Sequence, residues 1–358
     1  MSDAKTNKKA YLVLADGTVF NGVSMGKEGT AFGEVVFNTC TASYSELLSD
    51  PTYYGQIVAQ TYPLVGNRGV NKEQNDSKIM ASGYIVREWC DVNLDEQSLD
   101  AYLKECEIVG ICSIDTRRLT RAIRDKGYMK GAITDNLNNF DELIKSIKNY
   151  TISGAVSAVT IKEPQITEVP NAKYKLAVLD YGFPRKTLEA FWQRGCSTIV
   201  LPADYTKEQV MKFNPDGIFL SDGPADPDDN PSLIENIKEF EKTGLPIFGI
   251  GLGHQMMALS EGFKIEKMPQ GHRGSNQPVL ISKNKKLMVT DQNHGYSVQS
   301  DSVNPDKAEI TMTNVNDGTV EGIEYKSFKG LGVQFTPDGD NLSSTSWIFG
   351  KFVEMMGE

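Results

Sequence analysis

Four short apolar runs punctuate the second half of the chain: Leu176-Ala177-Val178-Leu179, Thr198-Ile199-Val200-Leu201, Gly217-Ile218-Phe219-Leu220 and Pro246-Ile247-Phe248-Gly249-Ile250. None alternates with polar residues, so each predicts a strand covered on both faces. Helical signals lie between them, at Thr187 to Arg194 and after a capping box of Thr206 and Gln209. This alternation predicts a mostly parallel sheet with helices on each side, a doubly wound α/β domain. Ligands in such sheets bind beyond the carboxyl ends of the strands, so the loops beginning at Ser221 and Gly251 are the places to search.

The first half is patterned differently. Leu12-Val13-Leu14 and Thr18-Val19-Phe20 flank Asp16-Gly17, a hairpin signal, and Val35-Val36-Phe37 predicts a further strand. Asp115 is placed to cap a helix whose Leu119, Ala122 and Ile123 share a face and which Gly127 stops. Between Ser153 and Tyr174, Pro164 and Pro170 break a polar stretch with little pattern. The expected layout is a β-rich α/β domain over 1–152, a linker over 153–173 and the doubly wound domain over 174–358. A chain of 358 residues, at about 150 per domain, agrees with two domains.

Charge narrows the function classes. Against 37 Lys+Arg stand 47 Asp+Glu, a formal net charge of −10, which argues against nucleic acid or an anionic membrane as partner. No run approaches the roughly 18 apolar residues of a spanning helix, and MSDAKTNKKA lacks the apolar core of a secretory signal. The five cysteines (Cys40, Cys90, Cys106, Cys112, Cys196) are scattered, with no C-x-x-C pair. That pattern fits neither a disulfide framework nor a zinc site, and it predicts a cytoplasmic protein without metal or cofactor. Cys196 reads as core filler, Asp226, Asp228 and Asp229 as turn acids, and Arg117, Arg118, Arg121 and Arg124 as a solvated helix face.

The chemistry-bearing stretch is GIGLGHQ, Gly249 to Gln255, which follows an apolar run and precedes the helix-like MMALSEG. Alternating glycines make a tight turn whose backbone N–H groups can face a ligand at the helix N-terminus. The spacing is G-x-G-x-G and not the dinucleotide fingerprint G-x-G-x-x-G. Spacing alone leaves a ligand-binding turn and a purely structural one equally open.

The stretch resembles the nucleophile elbow of class I glutamine amidotransferases, G-x-C-x-G-x-Q. Five further segments, Gly33 to Asn71, Gly110 to Gly127, NPDGIFLSDGPADP (Asn214 to Pro227), GHRGSNQPV (Gly271 to Val279) and QNHGYSV (Gln292 to Val298), resemble the small subunit of carbamoyl-phosphate synthetase. They occur in that family's order and cover nearly the whole chain. The resemblance implies an N-terminal small-subunit domain and a C-terminal class I glutamine-amidotransferase-like domain. In that family the small subunit hydrolyses glutamine, and ammonia passes through a tunnel to a large ATP-using subunit. The carbamoyl phosphate made there enters pyrimidine or arginine biosynthesis.

Carried over position by position, the resemblance puts Gly251 where the family has its cysteine. The family's F-x-G-H-P-E or V-Q-F-H-P-E segment reads GVQFTPDG here, so Thr336 replaces the histidine and Asp338 the glutamate. Glycine cannot attack a carbonyl, and threonine is no general base near neutral pH. His254 and His294 stand where active members also carry histidine, so the resemblance gives neither the role of a relocated base, and only the non-standard-site alternative would use one. The same resemblance gives a residual glutamine pocket of Thr52, Gly223, Ala225, Leu252, Gln255, Asn293, Gly295 and Tyr296. Thr52 stands where the family has a serine, Ala225 where it has a glycine, and Asp222 where it has an asparagine. The expectation is a pseudoenzyme that supports a large subunit using free ammonia. The alternatives are glutamine hydrolysis through a non-standard site and a sensor of glutamine or another small metabolite.

Overall fold

A computed structural model describes residues 8–41, 44–67, 69–70, 79–90, 97–224, 226–340 and 342–358. They cluster into two compact units, 1–153 and 154–358.

The first unit is built around a closed barrel. Its strands are β1 (Lys9–Leu14), β2 (Val19–Gly26), β3 (Thr30–Asn38), β4 (Gln56–Gln60), β5 (Gly83–Ile85), β6 (Val109–Cys112) and β7 (Met129–Thr134), in the order β1-β2-β6-β5-β4-β3-β7. Asp16-Gly17 turns β1 into β2, with Gly17 at φ 87°. Strand side chains that point inward supply one core: Leu12, Leu14, Phe20, Val35, Ile57, Ile85, Ile111 and Ile133. Helix α1 (Thr116–Lys126) closes over it with Leu119 and Ile123 buried. Asp115 caps α1 by accepting from the Arg118 N–H at 2.9 Å, and Gly127 ends it at φ 85°, both as the pattern predicts. Arg117, Arg118, Arg121 and Arg124 are exposed, and Arg118 lies over the Phe20 ring.

The second unit is a ten-stranded sheet. Its strands are β8 (Gln165–Thr167), β9 (Tyr174–Asp180), β10 (Cys196–Pro202), β11 (Gly217–Leu220), β12 (Ile247–Ile250), β13 (Ile265–Ile281), β14 (Leu287–Val298), β15 (Ala308–Asn314), β16 (Val320–Tyr325) and β17 (Gly330–Val333). Their order is β8-β10-β9-β11-β12-β17-β16-β15-β13-β14. The four apolar runs become β9, β10, β11 and β12, which with β17 form the parallel centre. Successive residues enter opposite cores: Ala177, Leu179, Ile218 and Leu220 on one face, Leu176, Val178, Phe219 and Phe248 on the other. The first face is covered by α3 (Lys207–Met211), α4 (Pro231–Glu241) and α5 (Leu252–Ser260), the second by α2 (Thr187–Trp192) and α6 (Trp347–Gly357). The capping box of Thr206 and Gln209 opens α3.

Two features depart from the pattern. The sheet is only half parallel, because β8 and β13 to β16 pair antiparallel. The stretch 153–173 also carries structure: Ala155–Val159 is helical, and β8 pairs with β10 inside the second unit. Val156 joins the core there, so this segment is held by burial as well as by the ladder.

Candidate functional site

Three loops leave the carboxyl ends of the neighbouring parallel strands β11, β12 and β17, the position expected for a ligand in such a sheet. The middle loop is a single residue. Gly251 ends β12 and caps α5 at φ 52°, ψ −111°, a conformation that costs a residue with a Cβ on the order of 1–3 kcal/mol. Its N–H donates to the Val333 carbonyl at 3.0 Å, which ties the corner to β17. Gly253 is needed for a different reason: a Cβ there would stand 2.7 Å from the Leu220 carbonyl carbon, so α5 could not lie against β11. The alternating glycines therefore build a strand-to-helix elbow.

The Leu252 N–H points out of this elbow, and the Gly223 N–H points toward the same place from the loop after β11. Both donate to one atom, Asp222 Oδ1, at 2.9 and 2.8 Å. Two backbone donors converging at that range are the geometry that holds a negative oxygen. A Cβ added to Gly251 would come within 2.6 Å of Asp222 Oδ2 and closer still to Oδ1. The carboxylate thus fills the volume directly over residue 251. From sequence Asp222 reads only as a replacement of the family's asparagine; its seating on the two amides depends on its rotamer, for which the only sequence signal is the joint appearance of Asp222 and Gly251.

Thr336 lies three residues beyond the end of β17 and is half-buried, with its N–H donating to the Asp291 carbonyl at 3.0 Å. Asp338 is exposed and turned to its own loop, accepting from the Asp340 N–H while its N–H donates to Thr345 Oγ1. Gln255, on the first turn of α5, donates from Nε2 to the Tyr296 carbonyl and to Gln334 Oε1, both at 3.0 Å. Tyr296 donates its hydroxyl to Asp226 Oδ2 at 2.8 Å. Asn293 and Gly295 lie on β14 beside Tyr296, and Asn293 is paired in register with Arg273. Gly223, Leu252, Gln255 and Tyr296 are thus gathered around α5. Thr52 belongs to the first unit, in a single turn capped by Asp50, to which its hydroxyl donates at 2.7 Å. Ala225 lies outside the described residues.

The histidines divide into one isolated ring and one pair. His254 is fully buried, and neither nitrogen has a hydrogen-bond partner among the described residues. Burial pushes its pKa down to about 3, so it is a neutral packing group. His272 and His294 share Gln292 Oε1, at 2.8 Å from Nδ1 of the first and 3.0 Å from Nε2 of the second. Burial alone would lower the His272 pKa, but the Glu321 and Asp317 carboxylates outweigh it and raise it. Burial, and then the charge on His272, push His294 well below the ordinary imidazole range. His272, His294 and Glu321 are the buried trio whose donor atoms lie within 4.8 Å of one another, a spacing that metal ligands also adopt. Here each ring nitrogen faces a protein oxygen at 2.8 to 3.0 Å, while one buried Glu321 carboxylate oxygen has no hydrogen-bond partner among the described residues. Sequence reasoning missed this network because Gln292 joins two strands. Cys196 is fully buried and its thiol is pushed up to about 11, which makes it inert. Asp226, Asp228 and Asp229 form a capped 3₁₀ turn.

Among the described residues no helix is long and apolar enough to cross a membrane. Comparison with known proteins gives two matches by family description. "Carbamoyl-phosphate synthase small chain, CPSase domain" matches residues 12–133, and "Glutamine amidotransferase class-I" matches residues 177–355. The carbamoyl phosphate synthase small chain of Clostridium acetobutylicum is 40% identical over 358 residues, covering 97% of this chain and all of that one. Those of Clostridium perfringens and Chlorobaculum tepidum are also 40% identical, each covering 97% of this chain and respectively 99% and 97% of their own length.

Proposed function

The chain belongs to the carbamoyl phosphate synthase small-chain family, and from that premise we propose that it is a small chain unable to hydrolyse glutamine. Its role in this reading is to bind a large, ATP-using synthase chain and support carbamoyl phosphate synthesis from free ammonia. The observation that carries the proposal is the elbow. Its backbone is built as a hydrolase of this class requires, with strand, strained corner, helix and two converging N–H groups. The corner residue nevertheless has no side chain, and Thr336 stands where the family's base belongs.

Amide hydrolysis in this class needs a thiolate to attack, a base to take and return its proton, and donors for the oxyanion. Only the donors remain, and they are already engaged. Loss of a nucleophile–base unit costs on the order of a millionfold in turnover, and further losses add almost nothing. Neither His254 nor His294 supplies a replacement: the first is sealed in the core, and the second is a very weak base inside the Gln292 network. Partner binding is supported by similarity over 97% of the chain, including the first unit.

Two measurements test the proposal. Size-exclusion chromatography of the chain mixed with a large chain should give a joint peak, and a chain that never co-elutes contradicts the supporting role. Glutamate release from glutamine should stay at the uncatalysed rate with and without that partner. Release well above it, abolished by His254→Gln or His294→Gln, would establish the non-standard active site instead.

A further inference from the structure

Asp222 does more than remove an asparagine from the loop. We propose that its carboxylate is a built-in ligand of the anion-binding corner, closing that corner to the carboxamide of glutamine and making residues 222 and 251 an interdependent pair. The inference rests on the reading of the site as a former glutaminase and states what now fills it.

A single oxygen, Asp222 Oδ1, receives the N–H groups of both Leu252 and Gly223. These donors come from two different loops and can meet on one oxygen only at the corner. The Leu252 N–H belongs to the first turn of a nine-residue helix, where the helix dipole adds to the preference for negative charge. A carboxylate meets that preference better than a neutral carboxamide oxygen, because charge-assisted hydrogen bonds are the stronger kind. It is also tethered to the loop that supplies one of the two donors, so an external ligand must displace an intramolecular one. The side chain of glutamine brings only the weaker acceptor to this competition.

The second observation is steric and independent of charge. The Asp222 carboxyl group overlaps the place where any Cβ on residue 251 must stand. The corner therefore accepts either this carboxylate over glycine or a side chain at 251 with Asp222 turned away. Asp222 in this seat requires glycine at 251, and a residue with a Cβ at 251 requires Asp222 to leave it. Restoring a cysteine alone does not reopen the site.

The test uses the full-length chain carrying Gly251→Cys, alone and combined with Asp222→Ala or Asp222→Asn. The probe is iodoacetamide, whose iodide is displaced as the introduced sulfur bonds to its methylene carbon. Alkylation of the introduced thiol, read by peptide mass mapping, should be at least about tenfold faster in the Asp222→Ala background, the ratio that ~1.4 kcal/mol of blockage gives. Asp222→Asn, which keeps the volume and loses the charge, should fall between. Equal rates in all three overturn the proposal. Gly251→Ala provides a measurement that needs no reactive thiol: its loss in Tm should be several degrees smaller with Asp222→Ala than with Asp222 present, and an equal loss again overturns the pairing. Calorimetric titration of the unaltered chain with glutamine separates this inference from the proposed function. Saturable binding without glutamate release overturns the built-in ligand and leaves the loss of hydrolysis standing, whereas glutamate release overturns the loss of hydrolysis.

Discussion

His254 illustrates how much of this site is packing. It occupies the first turn of α5 with both ring nitrogens unpartnered among the described residues, and Gly332 leaves room for the ring because a Cβ there would press on it. Its pKa falls to about 3 when folded, against an ordinary 6.5. The unfolded chain therefore takes up a proton below pH 6.5 that the folded chain refuses until about pH 3. This contribution to stability is complete above pH 6.5 and declines as pH falls through that window. Denaturant melts should show the unaltered chain losing about 2 kcal/mol more than His254→Gln between pH 6 and pH 4. Parallel losses would mean that His254 protonates in the native state. Gly251 makes the same point through the backbone. A glycine relieves the strain of φ 52°, so the elbow here costs less than in a protein that keeps a side chain at that corner.

Among elements, the junction of α4 and α5 carries a second titrating group. Glu241 ends α4 and accepts from Ser260 Oγ at 2.5 Å, with Glu261 beside it. Burial pushes its pKa up to about 7, and the Glu261 charge adds to that. A raised carboxyl pKa means stability that is complete below about 4.5 and lost as pH rises through about 7. Glu241→Gln should thus raise Tm by a few degrees at pH 8 relative to its effect at pH 5, read by thermal melts. An identical shift at both values would show that Glu241 is ionised throughout. The elements themselves were unevenly legible. Strands β9 to β12 were readable because burial on both faces demands unbroken apolar runs, and α1 and α3 because their caps are local. Strands β13 and β14 were not. β13 carries Pro269, Pro278, Gly271 and Gly274, which read as turn residues, and it pairs with β14 through two register shifts that local pattern does not encode. The site divides the same way. Gly251 and Thr336 are visible as substitutions in linear motifs, while the seating of Asp222 depends on a side-chain rotamer between two loops.

At the scale of the molecule, the chain matches both units of the small-chain family over nearly its full length, and the proposed function sets that retained framework against an elbow with no nucleophile. The central claim concerns the source of nitrogen. The direct measurement combines the chain with a large synthase chain, ATP and bicarbonate, and supplies glutamine labelled with ¹⁵N in its amide beside unlabelled ammonium. The account predicts carbamoyl phosphate carrying only unlabelled nitrogen. Label in the product, accompanied by a matching release of glutamate, would contradict it.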